Sequence, residues 1–190
     1  MEQSGQYLIK APRAKVWSAL NDPDILAASL QGCEEMLKVS NDSYTAKVKA
    51  KIGPVSATFN AELKLSDIRE PESYTIAVSA KGGAVGFGKG LAQVSLEPGA
   101  DDAHGTTMLS YSVEARVGGK LAQVGSRLID AAARKMADDF FGAFSKAVAP
   151  DSLAVDVNDS ATKNGMVPTI VWLGVAAAVL LGALVLSDMV

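Results

Sequence analysis

Tyr44-Thr-Ala-Lys-Val-Lys-Ala-Lys-Ile52, then Gly53-Pro54, then Val55-Ser-Ala-Thr-Phe-Asn-Ala-Glu-Leu-Lys-Leu65 is the stretch that decides the fold. Tyr44, Ala46, Val48, Ala50 and Ile52 alternate with polar residues, and Lys47, Lys49 and Lys51 point the other way. After the Gly53-Pro54 turn signal the same period returns in Val55, Ala57, Phe59, Ala61, Leu63 and Leu65. Further along, Tyr74-Ile76-Val78-Ala80, Ala92-Val94-Leu96 and Leu109-Tyr111-Val113-Ala115-Val117 repeat it between short turn signals. Period-two alternation over successive segments predicts an antiparallel sheet with one buried face. At Gly118-Gly119 the period changes. Leu121, Val124, Leu128, Ala132, Met136, Phe140 and Phe144 recur at helical spacing, which predicts one amphipathic helix of about seven turns ending near Val148. Upstream, the pattern predicts a short strand over Gln6–Ile9, a helix over Ala11–Leu20 and a second helix over Ile25–Leu30, separated by Asn21-Asp-Pro23. The class is α+β, a curved antiparallel sheet wrapped around a long C-terminal α-helix.

The remaining composition narrows the function. A formal net charge of −3 supplies no electrostatic footprint for nucleic acid, which is not expected as a partner. The chain has a single cysteine, Cys33, and a single histidine, His104. One of each excludes an internal disulfide and a Cys/His zinc cluster, and no metal site is expected. His104 sits in the polar turn Asp101–Gly105, and Asp138-Asp139 falls on the polar side of the long helix, so no catalytic set is expected either. Gly83–Lys89 fits G-x-x-x-x-G-K, but Gly90 stands where a P-loop needs Ser or Thr, and Leu91–Leu96 reads as a strand rather than a helix. That excludes nucleotide binding. The glycine run is either a mobile flap carrying an exposed Phe87 or a plain hairpin loop.

Val167 to Leu186 is an uncharged apolar run. About twenty residues at roughly 1.5 Å each reach across a hydrocarbon core of roughly 30 Å. The chain is therefore expected to divide into a globular module (1–150), a polar linker (151–166) and a single transmembrane helix (167–187). A linker of this length spans only about 20 Å on average, so the module stays near the bilayer. No secretory signal is visible at the N-terminus. With Lys163 before the run and Asp188 after it, the module is expected on the cytoplasmic side of the cell inner membrane, held by a single-pass C-terminal anchor. Gly174, Ala178 and Gly182 have the spacing of a helix-pairing stripe, a spacing that Ala/Gly-rich tails also produce by chance.

Ala11-Pro-Arg-Ala-Lys-Val-Trp17, Asn21-Asp-Pro23, the meander and the long terminal helix resemble the START-like (SRPBCC) helix-grip superfamily. Within it, Leu30-Gln-Gly-Cys-Glu34, Lys51-Ile-Gly-Pro54 and Gly86-Phe-Gly-Lys-Gly90 are similar to the family of the carbon monoxide dehydrogenase G subunit, over residues 4 to 148. The resemblance implies a helix-grip fold with an apolar cavity between sheet and helix, and recruitment of a molybdenum carbon monoxide dehydrogenase to the membrane. Seen from the residues alone, the inward alanines (Ala46, Ala50, Ala57, Ala61, Ala80, Ala92, Ala115) either leave space against the helix or let it dock closely with no void. With the cavity that the resemblance implies, its expected lining is Phe59, Tyr74, Val78, Phe87, Val94 and Tyr111 from the sheet. The helix would add Leu121, Val124, Leu128, Ala132, Met136 and Phe140. Tyr44, Tyr74, Tyr111 or Ser110 would be polar handles, although a tyrosine there also reads as an ordinary satisfied core residue.

The expected function is thus a non-catalytic, membrane-anchored accessory protein of that dehydrogenase. Its cavity would take up a membrane quinone, menaquinone or ubiquinone, to serve as electron acceptor. A prenyl tail is too insoluble to leave the bilayer unaided, and burial at about 25 cal/mol per Å² offsets that cost. No covalently bound cofactor is expected. The alternatives are a purely structural anchor, a general carrier of lipid or another hydrophobic ligand, and a cyclase- or hydratase-type enzyme, which would need an ionisable group facing inward.

Overall fold

Residues 1–99 and 105–149 are described by the computed structural model. Strands β1 (Glu2–Ile9), β2 (Cys33–Lys38), β3 (Ser43–Ile52), β4 (Val55–Arg69), β5 (Ser73–Lys81), β6 (Phe87–Pro98) and β7 (Thr107–Gly118) form one sheet. Its order is β1-β7-β6-β5-β4-β3-β2, and every neighbouring pair is antiparallel. The meander follows from the hairpin turns. The one long connection is α1 (Arg13–Leu20) with α2 (Pro23–Ser29), which carries the chain from β1 on one edge to β2 on the other. The long helix α3 (Ser126–Val148) buries its stripe on the inner face of the sheet.

Register explains why that face divides in two. Ala46, Ala61, Ala80 and Gly88 stand side by side across β3, β4, β5 and β6, making a row of small side chains. Nearer the α1–α2 end, the rows hold Tyr44 beside Leu63, Leu65 beside Ile76, and Tyr74 beside Val94. The helix is graded in the same sense. Ile129, Ala133 and Ala137 are buried in its first half, and Phe140, Phe141 and Phe144 in its second.

Three expectations need correction. The long helix does not begin at Leu121. Gly119–Val124 form a 3₁₀ turn, Gly125 adopts φ 93°, and α3 starts at Ser126. The break resets the helical phase, so the inner stripe runs Ile129, Ala133, Ala137, Phe140, Phe141, Phe144, Val148. Leu128 is 49% exposed. The glycine-rich segment is not a projecting flap either. β6 begins at Phe87, whose ring lies against Gly118 so closely that a Cβ there would collide with it. Finally, β2 is a strand that the alternation does not announce. Among the described residues no helix is long and apolar enough to cross a membrane. The apolar run 167–187, with its Gly174, Ala178 and Gly182, the linker 151–166 and His104 lie outside the described residues.

Candidate functional site

The large-residue half of the inner face leaves a cavity of about 80 Å³. Its floor is Tyr44, Leu63, Leu65, Tyr74, Ile76, Val94 and Leu109, all on inward positions of β3 to β7. Phe140 and Phe141 of α3 form one wall. Leu20 of α1, Leu26 of α2, Leu30 at the C-cap of α2 and Met36 of β2 close it from the remaining side. Not one lining residue is an alanine. The small-residue row takes no part in it, and the gap lies where bulky side chains meet bulky side chains and interdigitate incompletely.

The polar groups at this cavity are few. The Tyr44 hydroxyl donates to the Asn21 carbonyl oxygen at 3.1 Å, and the Lys38 ammonium lies 5.5 Å from the Tyr44 ring centroid. Tyr74 is buried, with its ring edge-on to Trp17 at 5.3 Å between centroids. Its hydroxyl forms no hydrogen bond with any described residue. Burial, and after it the neighbouring Tyr44, pushes the Tyr74 pKa well above the ordinary phenol value, so Tyr74 is a neutral donor. Among the described residues, the fully buried polar atoms left without a partner are Gln3 Oε1 and the Tyr111 hydroxyl; the Tyr74 oxygen keeps accessible surface, where an acceptor supplied by a ligand would have access. No carboxylate, lysine or arginine lines the cavity.

Part of the cover comes from α2. α2 is seven residues long, capped by Asp22, whose Oδ1 accepts from the Asp24 and Ile25 amides at 2.9 and 3.4 Å. Ile25, Leu26 and Ala27 are only half-buried. Beyond α2 the chain turns at Gly32, where φ is +79° and a Cβ would collide with the Lys49 carbonyl oxygen.

Of the residues expected from the sequence, Tyr74, Val94 and Phe140 line the cavity. Phe59, Val78, Tyr111 and Leu121 are buried elsewhere in the core. Phe87, Val124, Ala132 and Met136 are half-buried, and Leu128 is exposed. Tyr111 stacks on Phe141 at 5.8 Å beside Tyr7, which donates to Asp138 Oδ1 at 3.0 Å. Ser110 faces outward and accepts from Gln6 Nε2 at 3.1 Å. Leu63, Leu65, Ile76 and Leu109 occupy inward positions the alternation already marks. Leu20, Leu26, Leu30 and Met36 carry no signal that would make them a cover. Cys33 donates from Sγ to the Glu35 carbonyl oxygen at 3.3 Å, and burial raises its pKa. Among the described residues no group of His, Cys, Asp and Glu could hold a metal ion.

The family profile of the carbon monoxide dehydrogenase G subunit (CoxG) matches residues 5–149. The chain belongs to this family. No curated protein matches it. Among solved structures, a conserved protein from Geobacillus kaustophilus is 31% identical, with a TM-score of 0.72 over 79% of this chain and 96% of that one. A START superfamily protein from Mycobacterium smegmatis is 13% identical, with a TM-score of 0.59 over 78% and 97%. The Zhui aromatase/cyclase from Streptomyces sp. R1128 is 14% identical, with a TM-score of 0.57 over 81% and 96%. The last two share the fold, which by itself assigns no chemistry.

Proposed function

We propose that this CoxG family member is a non-catalytic carrier of a hydrophobic ligand, working beside a molybdenum carbon monoxide dehydrogenase. The observation that carries the reading is the apolar cavity under α2 with a single free phenol, that of Tyr74, at its wall. A membrane quinone matches that chemistry: its ring and prenyl tail are apolar, and its carbonyl oxygen would accept from the Tyr74 hydroxyl. The volume sets a condition. An engineered apolar cavity that binds benzene measures about 150 Å³, so a space of about 80 Å³ admits no ring until its cover moves. We take α2, which is short and half-buried at Ile25, Leu26 and Ala27, as the element that moves. The apolar run at 167–187 would hold the domain at the cytoplasmic face of the inner membrane, close to the lipid that fills the cavity.

Mass spectrometry of an organic extract of the full chain, purified from membranes, tests this. A quinone near one per chain is expected, at least tenfold lower in Tyr74→Phe/Val94→Trp. Recovery of a phospholipid at that ratio would make the protein a general lipid carrier. An empty extract would leave only the structural anchor.

A further inference from the structure

At the end of the sheet away from the cavity, three turns come together. The 3₁₀ turn Gly83–Val85 between β5 and β6 packs on the 3₁₀ turn Gly119–Val124 that leads into α3. Gly53, at the β3–β4 turn, lies beside Val124 and Leu128. The charges on these three segments are all of one sign. Residues 47–60 hold Lys47, Lys49 and Lys51. Residues 79–91 hold Lys81 and Lys89. Residues 115–128 hold Arg116, Lys120 and Arg127. Together they carry eight of the chain's 18 basic residues and none of its 21 acidic ones. Glu34, Glu35, Glu62 and Glu114 border the patch, and of its eight cations only Lys47 is in an ion pair among the described residues, with Glu34 at 3.0 Å.

The start of α3 adds to the same field. This 23-residue helix begins here with Gly125 as its N-cap, no side-chain cap and no acidic residue in its first turn. Arg127 sits in that first turn, where a helix dipole disfavours a cation. A cation cluster around an uncapped helix N-terminus is a local arrangement the fold itself does not reward. Such violations concentrate where something external compensates them.

Two anionic occupants are conceivable, and the rest of the molecule chooses between them. Exposed apolar side chains do not choose, since Leu91 and Leu128, each 49% exposed, lie on the tip segments themselves; the path of the chain does. α3 carries the described chain away from the tips, to an end about 34 Å from its start at 1.5 Å per residue, and the apolar run of the proposed anchor would place the bilayer at that far end. We infer that the basic hairpin tips dock an acidic face of a protein partner, the dehydrogenase of the proposed function. The inference rests on the recruitment reading and names the surface that carries it. Complementary charge of this kind acts first on the rate of association.

The test uses the full chain in detergent, immobilised, with purified molybdenum carbon monoxide dehydrogenase as the probe. The wild type is expected to bind with an on-rate that falls about tenfold as salt rises. Lys49→Glu/Lys51→Glu/Lys120→Glu should lower the on-rate by at least about tenfold. Lys10→Glu/Lys15→Glu/Lys146→Glu, which changes net charge equally at the other end, should leave it nearly unchanged. All six side chains are exposed, and unchanged circular dichroism melts verify folding. Equal losses in both variants, or none in the first, would overturn the docking surface while sparing recruitment. No binding by the wild type would remove recruitment and the surface together. If the tip variant instead loses only its extra affinity for phosphatidylglycerol vesicles over neutral ones, the tips belong to a bilayer and the proposal is wrong.

Discussion

The two halves of the inner face are built from opposite materials. In the half nearest the hairpin tips, the row Ala46–Ala61–Ala80–Gly88 is buried on the same face as Phe59, Val48 and Val78, the helix bears Ala133 and Ala137, and none of these residues lines the cavity. In the other half, Tyr44, Leu65 and Tyr74 face Phe140 and Phe141, and a cavity remains. The difference teaches that side-chain size does not predict where space will be. Small residues need leave no gap where a large neighbour shares their face, as Phe59 does with its ring against Gly82. Large residues hold two surfaces apart, and branched and planar shapes then tile the gap imperfectly.

The largest effect that tests this contrast is removal of Phe59, buried to 1% beside the small-residue row. Phe59→Ala should lose about 3–5 kcal/mol of stability, read as a lower denaturant midpoint. A cost well below that would mean that this half collapses easily and is not the rigid one. Next comes a pair of additions. Ala80→Leu, at a position with no exposure, should cost about 1–3 kcal/mol or more by overpacking. Val94→Leu adds one methylene at the cavity wall and should cost under about 1 kcal/mol, or stabilise. Equal costs would erase the distinction between the halves.

Much of this was legible in the residues, for reasons that differ by element. The inward parity of β3 to β7 is written in the alternation, because one face meets water and the other does not. β2 escaped because it is a short edge strand with a register shift between Cys33 and Glu35. Its burial pattern therefore has no clean period. The phase of α3 escaped because Gly125 interrupts the spacing that ties Leu121 and Val124 to Leu128, and the helix proper counts from Ser126. The cavity's location depends on how far two surfaces approach, a distance between elements that no single segment encodes. Tyr74, Val94 and Phe140 were named from the sequence and stand at the cavity, whereas Leu26 and Leu30 gain their place only once α2 lies over it.

The contrast extends to the cover. Asp22→Ala removes the side-chain cap of α2 and should cost about 1 kcal/mol, within the range of about 0.5–2 for such caps. If α2 is the element that opens, hydrogen exchange should quicken over residues 23–29 and leave α3 unchanged, and ligand exchange should quicken with it. Uniform acceleration across both helices would mean that the cover has no independence from the core.

The smallest effect is one of pH and belongs to the cavity half through Tyr74. Its folded pKa is raised above the ordinary 10.0, first by burial, so the folded protein keeps the phenol proton to a higher pH than the unfolded chain does. Below about pH 10 both states hold it and stability is unaffected by pH through this group. As pH rises past that value the unfolded chain releases its proton first, so it binds fewer protons than the folded state and stability falls, by at most about 1.4 kcal/mol per pH unit for one such group. Tyr7 and Tyr111 are raised in the same direction, chiefly by burial, and the wild type should therefore lose stability steeply in alkali. Comparing melting temperatures from about pH 9 to about pH 11, Tyr74→Phe should follow a shallower decline than the wild type. Parallel curves would mean that the Tyr74 hydroxyl already reaches water, and the cavity would then be open where the structure closes it.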